Sequence, residues 1–524
     1  MKVFNFKAVA AAAYRTFSSK RVAKPSAWAL TNPKTKNTNT TVEQCRTPMS
    51  KIEWSEEQKQ VLSSVSEGKS VFITGSAGTG KTLLLEEIIK FLNRLHTPYG
   101  VYVTASTGVA ACALKGQTLH SFAGIGIIFS DDDPQLLVER VLSNQGACRR
   151  WRKVEALVID EISMVSAKLF ESLEFVAREM RGVDETWGGI QLVVSGDFFQ
   201  LPPVVSNKDY CCSSQGVMYA FEAECWNRSF DLQVELTRVF RQSDYGLTRL
   251  LEGIRRGESD PQDLEFLENL CLGSSECDHD PSIVQLFPLN KDVERVNDER
   301  LRSLQKDVVV YRAVDSGKGH WKGNLRYGIV PDEISLCEGA RVMLVKNLDT
   351  EHGLVNGATG VVVGFSWSLG EEEHLSGICN DKVLPVVKFD GGKFLTIKPA
   401  KWHLMDGPEV VACRKQIPLI LAWAMSIHKC QGMTLERVHT DLSRAFGCGM
   451  VYVALSRVRS LEGLHLSAFN RSKIKVDQRV SRFYRSLASE KSKEVMVVDR
   501  RREKVATEVA VVSQENCHIL YKLT

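Results

Sequence analysis

The stretch Gly75-Ser-Ala-Gly-Thr-Gly-Lys-Thr82 matches the pattern of a phosphate-binding loop. An apolar segment, Ser70–Thr74, precedes the loop, and Leu83–Leu92, with apolar residues at helical spacing, follows it. This order predicts a strand, a loop and a helix, which is the context the motif requires. Glycines let backbone N–H groups turn toward phosphate oxygens, and the helix N-terminus adds its dipole. We therefore predict that Lys81 reaches the β- and γ-phosphates of a nucleotide and that the Thr82 hydroxyl holds Mg²⁺.

A pair of acids follows the loop by about 80 residues, in the segment Glu155-Ala-Leu-Val-Ile-Asp-Glu161. At the end of a buried strand, an acid can meet the metal ion that a phosphate loop holds. We predict that Asp160 positions the metal and that Glu161 polarises the attacking water. An Asp-Glu pair after an apolar run is by itself more typical of a solvated strand end, so this interpretation depends on the loop upstream.

The composition is that of a globular protein with several domains. The chain has 524 residues, 44% of them apolar, and this length predicts two to four domains. No apolar run approaches roughly 18 residues, so the sequence predicts no membrane span. The 14 cysteines are scattered without metal-binding spacing around Cys211, Cys212 or Cys430. They are typical of free thiols in a reducing compartment, rather than of disulfides or zinc ligands.

The formal net charge of +4 conceals an uneven distribution. Residues 1–42 contain eight Lys or Arg and no acid, and without them 59 basic and 63 acidic residues remain. The body of the chain is therefore not a uniformly basic nucleic-acid binder, and any surface that follows phosphates must be a local groove. Residues 471–524 carry 13 basic and seven acidic residues, so positive charge gathers again at that end.

The first 50 residues have the composition of a mitochondrial transit peptide. They are rich in Lys, Arg, Ser and Thr, and Ala8–Ala13 has helical character. Arg15-Thr-Phe-Ser18 is similar to the pattern cleaved in the matrix, which predicts removal of residues 1–17. The alternative is a disordered basic tail that happens to lack acids.

From Ile52 onward, short apolar strands alternate with amphipathic helices, which predicts an α/β fold with a parallel sheet. The predicted strands of this first part are Val71–Thr74, Val101–Ala105, Ala156–Ile159 and Gln191–Ser195. Residues 340–412 have a different pattern, with Gly-rich turns and no clear helix. Their predicted strands are Arg341–Val345, Thr359–Phe365 and Leu384–Phe389. We expect a small β-barrel here, inserted in a second α/β unit.

Further blocks follow in a fixed order, and the set resembles the superfamily 1B (RecD-like) helicases, most closely the Pif-type DNA helicases. The resemblance runs from about Trp54 to Leu466. Its blocks are Val103–Ala110, Thr118–Gly124, Gly196–Pro203, Leu236–Gln242, Glu338–Leu344, Leu354–Gly360, Ala424–Thr434 and Tyr452–Arg457. It implies two RecA-like cores with ATP bound between them.

The resemblance also implies roles around the nucleotide. Gln58 gives adenine preference, because a glutamine amide can pair with both the donor and the acceptor of the base edge. Gln200 senses the γ-phosphate or the attacking water, and Arg241 and Arg457 are candidate arginine fingers. The ATP-binding positions in the loop are Gly75, Ser76, Ala77, Gly78, Thr79, Gly80, Lys81 and Thr82.

Two surfaces that grip single-stranded DNA alternately are expected, one on each core. The implied DNA contacts are Thr107, His120, Ser121 and Phe122 in the first core, and His428, Gln431, Thr434, Tyr452 and Arg459 in the second. Hydroxyl groups suit phosphate oxygens, and Phe122 is placed to stack on a base unless it is a core aromatic. Residues 125–152 would hold the wedge that splits the duplex.

The sequence therefore predicts a monomeric, ATP- and Mg²⁺-dependent DNA helicase that moves 5′ to 3′ on single-stranded and forked DNA in the mitochondrial matrix. The expected domains are a transit peptide and linker at 1–50, a first core at 51–235, a second core at 236–339 and 413–470, an SH3-like β-barrel at 340–412 and a basic extension at 471–524. The alternatives are an RNA or RNA–DNA hybrid helicase and a non-processive ATP-switched DNA-binding protein. RNA specialists need contacts to the 2′-OH, and a pure switch tends to lack a hydrolytic group.

Overall fold

The computed structural model describes residues 53–125, 134–203, 218–242, 244–272, 283–317, 330–349, 356–367, 377–406 and 409–489, together with residues 322, 325 and 354. The expected transit peptide, the start of the expected wedge (126–133) and residues 490–524 lie outside these ranges. Within them, no helix has the length and apolar character needed to cross a bilayer. The cysteines whose side chains are described there are free thiols.

The helices and strands are numbered in chain order. The α-helices of the described residues are α1 Glu56–Ser66, α2 Lys81–Leu95, α3 Gly108–Ala113, α4 Leu119–Ala123, α5 Pro134–Ser143, α6 Gln145–Lys153, α7 Ala167–Arg181, α8 Tyr245–Arg256, α9 Pro261–Leu272, α10 Asn290–Ser303, α11 Met450–Leu455 and α12, residues 478–489. The strands are β1 Val71–Gly75, β2 Val101–Ala105, β3 Gln117–Thr118, β4 Ala156–Asp160, β5 Gln191–Ser195, β6 Leu232–Leu236, β7 Val284–Phe287, β8 Val309–Arg312, β9 Val314–Gly317, β10 Glu333–Leu336, β11 Arg341–Leu344, β12 Thr359–Trp367, β13 Val383–Phe389, β14 Phe394–Thr396, β15 Ala400–Asp406, β16 Glu409–Gln416, β17 Leu419–Leu421, β18 Ala424–Ser426, β19 Val438–Asp441 and β20 Leu464–Ala468.

The first core is a six-stranded sheet in the order β3-β2-β4-β5-β1-β6, with every neighbouring pair parallel. Along β1, Phe72 points into one hydrophobic cluster with α5 and α7, whereas Val71 and Ile73 point into the other with α1 and α2. Because both faces are covered, the inner strands β1, β2, β4 and β5 are largely apolar, and this is why the sequence pattern located these four. The carboxyl ends of β1, β4 and β5 meet at one edge of the sheet.

The second core is a smaller parallel sheet in the order β18-β7-β19-β20. Helices α8, α9 and α11 contribute apolar side chains to its hydrophobic cluster, among them Leu250, Leu267 and Val453. Ala77 and Leu201 of the first core belong to the same cluster. The two cores therefore pack against each other next to the phosphate loop.

The all-β domain lies between β7 and β18 in the chain and is built from antiparallel strands. It extends from Val309 to Leu421, so it is wider than the expected 340–412. The difference arises because β8 and β10 share its hydrophobic cluster through Tyr311 and Ile334, and because β9 pairs with β16. These early strands are short, so the sequence pattern did not separate them from the preceding α/β unit.

Helix α12 returns from the second core to the first. Val480 and Tyr484 belong to the main hydrophobic cluster of the first core, and Phe483 stacks on Phe221 with ring centroids 4.5 Å apart. The expected basic extension, 471–524, therefore begins with a segment that completes the first core. No sequence motif indicated this packing.

Candidate active site

The phosphate loop joins β1 to α2 and takes backbone conformations that favour glycine. Gly78 and Gly80 have φ values of 87° and 83°, in the left-handed region. A Cβ atom at Gly78 would lie 2.6 Å from Cβ of Arg241, which follows β6. The N–H of Phe240 also donates to the carbonyl of Gly78. The loop is thus held against the segment that leads into the second core.

Lys81 and Thr82 begin α2 beneath this loop. The Lys81 Nζ donates to the carbonyls of Gly75 and Ser76, at 2.7 and 3.0 Å. Enclosure of the ammonium group lowers the pKa of Lys81, and the charges of Asp197 and Glu161 oppose that shift. The Thr82 side chain is exposed on the first turn. The lysine therefore supplies a positive charge at the position where the loop would hold phosphate oxygens.

The two acids lie at the carboxyl end of β4. Asp160 is buried, and that burial raises its pKa. Glu161 has φ of 54° and is only partly buried as a residue, but enclosure of its carboxyl group and the nearby charge of Asp160 raise its pKa to about 7. A carboxyl group with a raised pKa in an enclosed cleft is suited to accept a proton from water.

Gln431 connects the second core to these hydrolytic groups. Its Nε2 donates to Oε2 of Glu161 at 2.9 Å and to Oε1 of Gln200 at 3.3 Å. The sequence interpretation placed Gln431 on the DNA surface, whereas the structure places it in the cleft between the cores. One amide thus contacts both groups that the sequence predicts at the attacking water, and it comes from the block Ala424–Thr434 of the other core.

The two candidate arginine fingers differ in their surroundings. Arg241 donates to the carbonyl of Ser456 at 3.2 Å, and burial together with the charges of Arg457 and Arg459 lowers its pKa to about 10. The guanidinium of Arg457 is completely buried in the second core. Its acceptors are the carbonyls of Val453, Cys430 and Met433 and the hydroxyl of Ser456. Arg457 is therefore a scaffold of the second core, although its charge still helps to lower the pKa of Glu161.

Gln58 and Phe240 meet at Gly80. Gln58 is buried and donates to the carbonyl of Thr79 at 3.3 Å, while its Oε1 caps α1 at Ser55. Phe240 is 48% exposed, and Arg238 lies over its ring at 5.0 Å. An exposed aromatic ring beside the loop is suited to stack on a base. No role was predicted for Phe240 from the sequence, although its position directly before Arg241 places it next to a candidate nucleotide contact.

Tyr452 lies between the cores and not on a DNA surface. It is buried, and its hydroxyl accepts a hydrogen bond from the N–H of Ala77 in the phosphate loop at 2.7 Å. Nearby, Gly449 precedes α11, and a Cβ atom there would lie 2.3 Å from the carbonyl oxygen of Gln200. These two contacts make α11 the point where the second core touches both the phosphate loop and the sensor glutamine. The expected DNA contact at Tyr452 is corrected accordingly.

The DNA residues expected on the first core do not form one cluster of exposed side chains. Thr107 and Ser121 are partly exposed and His120 is exposed, at the starts of α3 and α4. Phe122, in contrast, is completely buried, with Tyr102 and Trp151 at centroid distances of 5.1 and 4.8 Å. It cannot stack on a base in this arrangement, and the alternative of a core aromatic is the correct one.

The expected wedge is partly described, as the helices α5 and α6. Buried Arg150 on α6 donates to the carbonyls of Ser121 and Phe122, and Trp151 donates to that of Ala123. Helix α6 therefore supports α4, which carries the expected DNA residues.

In the second core, Thr434 and Arg459 line a groove of about 1490 Å³ that faces the all-β domain, while His428 is partly buried. Lys346 and Trp402 of the all-β domain line the opposite wall, with the Lys346 Nζ 5.2 Å above the Trp402 ring. Arg459 is exposed and pairs with Glu436 at 3.5 Å. Cations and an aromatic ring along a groove are a combination that suits a single strand of nucleic acid.

The oxygen donors near Lys81 suit Mg²⁺. They are the exposed Thr82 hydroxyl and the buried Asp160 carboxyl, and hard oxygen ligands are those that Mg²⁺ prefers. Among the described residues, no group of three or more His, Cys, Asp or Glu side chains could hold a metal. The pair of donors at Thr82 and Asp160 is that expected for an ion that takes its other ligands from phosphates and water.

A phosphate loop on one parallel-sheet core, facing hydrolytic and basic residues of a second core, defines a two-core P-loop ATPase. The family model "PIF1-like helicase" matches residues 53–252, and the model "DNA helicase Pif1, 2B domain" matches residues 326–365. The chain belongs to the PIF1-like helicase family.

Three relatives illustrate this membership. The ATP-dependent DNA helicase PIF1 of Xenopus laevis is 41% identical over 84% of this chain, and the match spans 65% of that relative's length. A crystal structure of the Pif1 helicase from Candida albicans is 38% identical, with a TM-score of 0.66 over 83% of this chain and 100% of that one. The Pif1 helicase from Bacteroides in complex with ADP-AlF3 and ssDNA is 28% identical, with a TM-score of 0.55 over 84% and 98%.

Proposed function

We propose that this protein is an ATP-dependent DNA helicase that moves 5′ to 3′ on single-stranded DNA and unwinds duplex DNA. The observation that carries the proposal is the contact of Gln431 with both Glu161 and Gln200. A second-core residue is thereby joined to the hydrolytic groups of the first. Hydrolysis that alters these groups must alter the separation of the cores, and this is what a motor requires.

The roles in hydrolysis follow from the positions of the side chains. Lys81 provides positive charge at the phosphates, and Glu161 orients and deprotonates the attacking water. Arg241 stabilises charge that develops in the transition state from the far side of the cleft. Phe240 and Gln58 hold the base. Thr82 and Asp160 would hold Mg²⁺, which would supply positive charge to the phosphate oxygens.

The DNA strand lies across both cores in this proposal. Thr107, His120 and Ser121 contact it on the first core, and Thr434 and Arg459 contact it on the second, at the groove beside Trp402. A single chain supplies both halves of the ATP cleft, so a monomer is the catalytic unit. The relative in complex with single-stranded DNA supports this class of partner, and forked DNA is the substrate on which unwinding is expected.

A mitochondrial location is the second part of the proposal, supported by the acid-free basic segment and Arg15-Thr-Phe-Ser18. A fluorescent fusion of residues 1–50 should enter mitochondria, and replacing Arg15 with Ala in the full chain should prevent removal of residues 1–17. A diffuse cytosolic signal from the fusion would contradict this assignment.

A strand-displacement assay tests the activity. Duplexes with a 5′ or a 3′ single-stranded tail, built from DNA or from RNA, are incubated with the protein, Mg²⁺ and ATP. We expect displacement of the 5′-tailed DNA duplex alone, and none by the matched Glu161→Gln variant. Displacement of the RNA duplex at an equal rate would favour the RNA helicase alternative. ATP-dependent DNA binding without displacement would favour the non-processive switch.

A further inference from the structure

Tyr484, on α12, inserts its side chain into the first core behind the active site. The residue is buried, and its ring stacks on Phe199 at a centroid distance of 4.5 Å. Its hydroxyl oxygen lies 2.5 Å from Oγ1 of Thr74, 3.2 Å from the backbone nitrogen of Phe198 and 3.1 Å from Oδ1 of Asp197. One hydroxyl group thus joins β1 to the loop that follows β5.

The donors and acceptors around this hydroxyl admit one consistent assignment. The ionised Asp197 only accepts and the N–H of Phe198 only donates, so Tyr484 donates to Asp197 and accepts from Phe198. Its remaining lone pair accepts from the hydroxyl of Thr74. Each hydrogen-bonding position of the Tyr484 hydroxyl is therefore used, and removal of the oxygen would leave buried partners unsatisfied.

The charge of Asp197 is balanced by another residue. Arg255, on α8, is completely buried and pairs with both carboxylate oxygens of Asp197 at 3.0 Å. Arg255 also donates to Glu235 and Glu252 through Nη1. The Tyr484 hydroxyl is thus not required to compensate a charge, and its contribution is geometric.

The two chain segments that Tyr484 joins both lead to the active site. Thr74 directly precedes Gly75, whose carbonyl accepts from Lys81. The carbonyl of Asp197 accepts from the N–H of Gln200 at 2.9 Å, and this bond fixes the turn that presents the sensor glutamine. The Tyr484 hydroxyl therefore helps to hold the phosphate loop and Gln200 at a fixed distance, in addition to the pairing of β1 with β5 and the bond from the N–H of Gly196 to the carbonyl of Ile73.

The segment before α12 also contacts the second core. The carbonyl of Lys475 accepts from the N–H of Gly449, the residue that precedes α11 and touches Gln200. The chain that carries Tyr484 is thus tied to the second core on its way to the first.

We propose that Tyr484 is a positioning residue for ATP hydrolysis, which holds Gln200 at its working distance from the phosphate loop. This role rests on the proposed helicase function and adds a contribution from a segment that lies beyond the second core. Tyr484 is buried and its hydroxyl is bonded to Thr74, Phe198 and Asp197, so its effect is transmitted through these residues.

The test compares two variants that remove the same atom from neighbouring tyrosines. Tyr219 lies in the same hydrophobic cluster and its ring also contacts Phe198, but its hydroxyl donates to Asp477 at 3.4 Å instead of to Asp197 or Thr74. Tyr484→Phe should lower kcat for DNA-stimulated ATP hydrolysis about tenfold, with KM for ATP and the Kd for single-stranded DNA within about twofold of wild type. Tyr219→Phe should retain the wild-type kcat, and thermal unfolding of both variants is measured in parallel.

A second pair of variants keeps the result interpretable if Tyr484→Phe unfolds. Thr74→Val removes the partner hydroxyl at nearly constant shape, and Thr74→Ser retains it. We expect a lowered kcat for Thr74→Val, little change for Thr74→Ser, and non-additive effects when Thr74→Val is combined with Tyr484→Phe. Equal kcat for Tyr484→Phe, Tyr219→Phe and wild type would show that Tyr484 is not a positioning residue, and would leave the proposed helicase function intact. A wild-type protein without ATP turnover would overturn the proposed function as well.

Discussion

The cleft between the cores and the expected DNA surface of the first core are built in different ways. In the cleft, Gln431 donates to both Glu161 and Gln200, so the loss of Gln431 disturbs the other two groups. On the surface of the first core, Thr107 and His120 are separate side chains with solvent access. We infer that substitutions in the cleft act on turnover and are large, whereas those on the DNA surface act on affinity and are individually small.

The largest effect is expected for Lys81→Ala, which should abolish ATP hydrolysis while the protein remains folded. The side chain supplies charge to the loop and contributes little packing, because its bonds go to the carbonyls of Gly75 and Ser76. DNA-stimulated phosphate release, measured beside circular dichroism, checks this. Substantial remaining turnover in a folded variant would remove Lys81 from the active site.

Glu161→Gln should lower kcat by about 10²–10⁴-fold, the usual range for the loss of a general base, and leave binding of ATP and DNA intact. The amide keeps the shape of the side chain but cannot accept the proton of water. Single-turnover hydrolysis and equilibrium binding of labelled nucleotide separate the two effects. Turnover near the wild-type rate would show that another group is the base.

Arg241 and Arg457 allow a comparison between an arginine that faces the cleft and one that is buried in the second core. Arg241→Ala should hydrolyse ATP about 10²-fold more slowly, which is less than the loss for the most effective arginine fingers. Arg457→Ala should also slow hydrolysis, because the second core loses internal bonds and Glu161 loses a nearby positive charge. Only Arg457→Ala should also lower the free energy of unfolding. The reason is that the Met433 carbonyl loses the bond from Arg457, and an unsatisfied buried group costs about 1–3 kcal/mol, whereas the carbonyls of Val453 and Cys430 still accept from the Ser456 hydroxyl and the Met433 N–H.

Thermal unfolding and ATP turnover of both arginine variants test this difference, with Arg→Lys at each position as the conservative control. An ammonium group cannot reproduce the planar fork, so the Lys variants should recover little activity. If Arg241→Ala were as unstable as Arg457→Ala, the distinction between a cleft residue and a scaffold residue would be wrong.

The smallest effect is expected at the groove, for Arg459→Ala. Its guanidinium is exposed and pairs with exposed Glu436, so its removal should leave stability and saturated ATP turnover unchanged. The affinity for single-stranded DNA should fall a few-fold, and the slope of log K against log salt concentration should decrease by about 0.7, as for one phosphate contact. An unchanged salt dependence would place Arg459 off the DNA path.

The sequence predicted the parts of the molecule that obey local rules. The four strands predicted for the first core agree with β1, β2, β4 and β5 within one residue at each end, because buried parallel strands are apolar runs bounded by turns. The edge strands β3 and β6 were not predicted. The phosphate loop and the pair Asp160 and Glu161 were found because their residue types and order are tied to chemistry. The domain bounds of the all-β domain were too narrow because β8, β9 and β10 become part of it only through long-range pairing.

Side chains whose role depends on burial could not be assigned from sequence. Phe122 and Tyr452 lie in blocks that resemble DNA-contacting stretches, but one is packed in the first core and the other binds the phosphate loop. Tyr484 lies more than 400 residues from Thr74, which it contacts. No local sequence pattern predicts a contact between residues so far apart in the chain.

The central claim is that Gln431 of the second core is coupled to the hydrolytic groups of the first core. The variant Gln431→Ala tests this claim most directly. The measurement is the ratio of ATP turnover at saturating single-stranded DNA to turnover without DNA, together with the nucleotide-free Kd for the same DNA. We predict that the ratio falls at least about tenfold while the Kd stays within about twofold of wild type, because Gln431 contacts Glu161 and Gln200. A weakened Kd with an unchanged ratio would contradict this account and return Gln431 to the DNA surface.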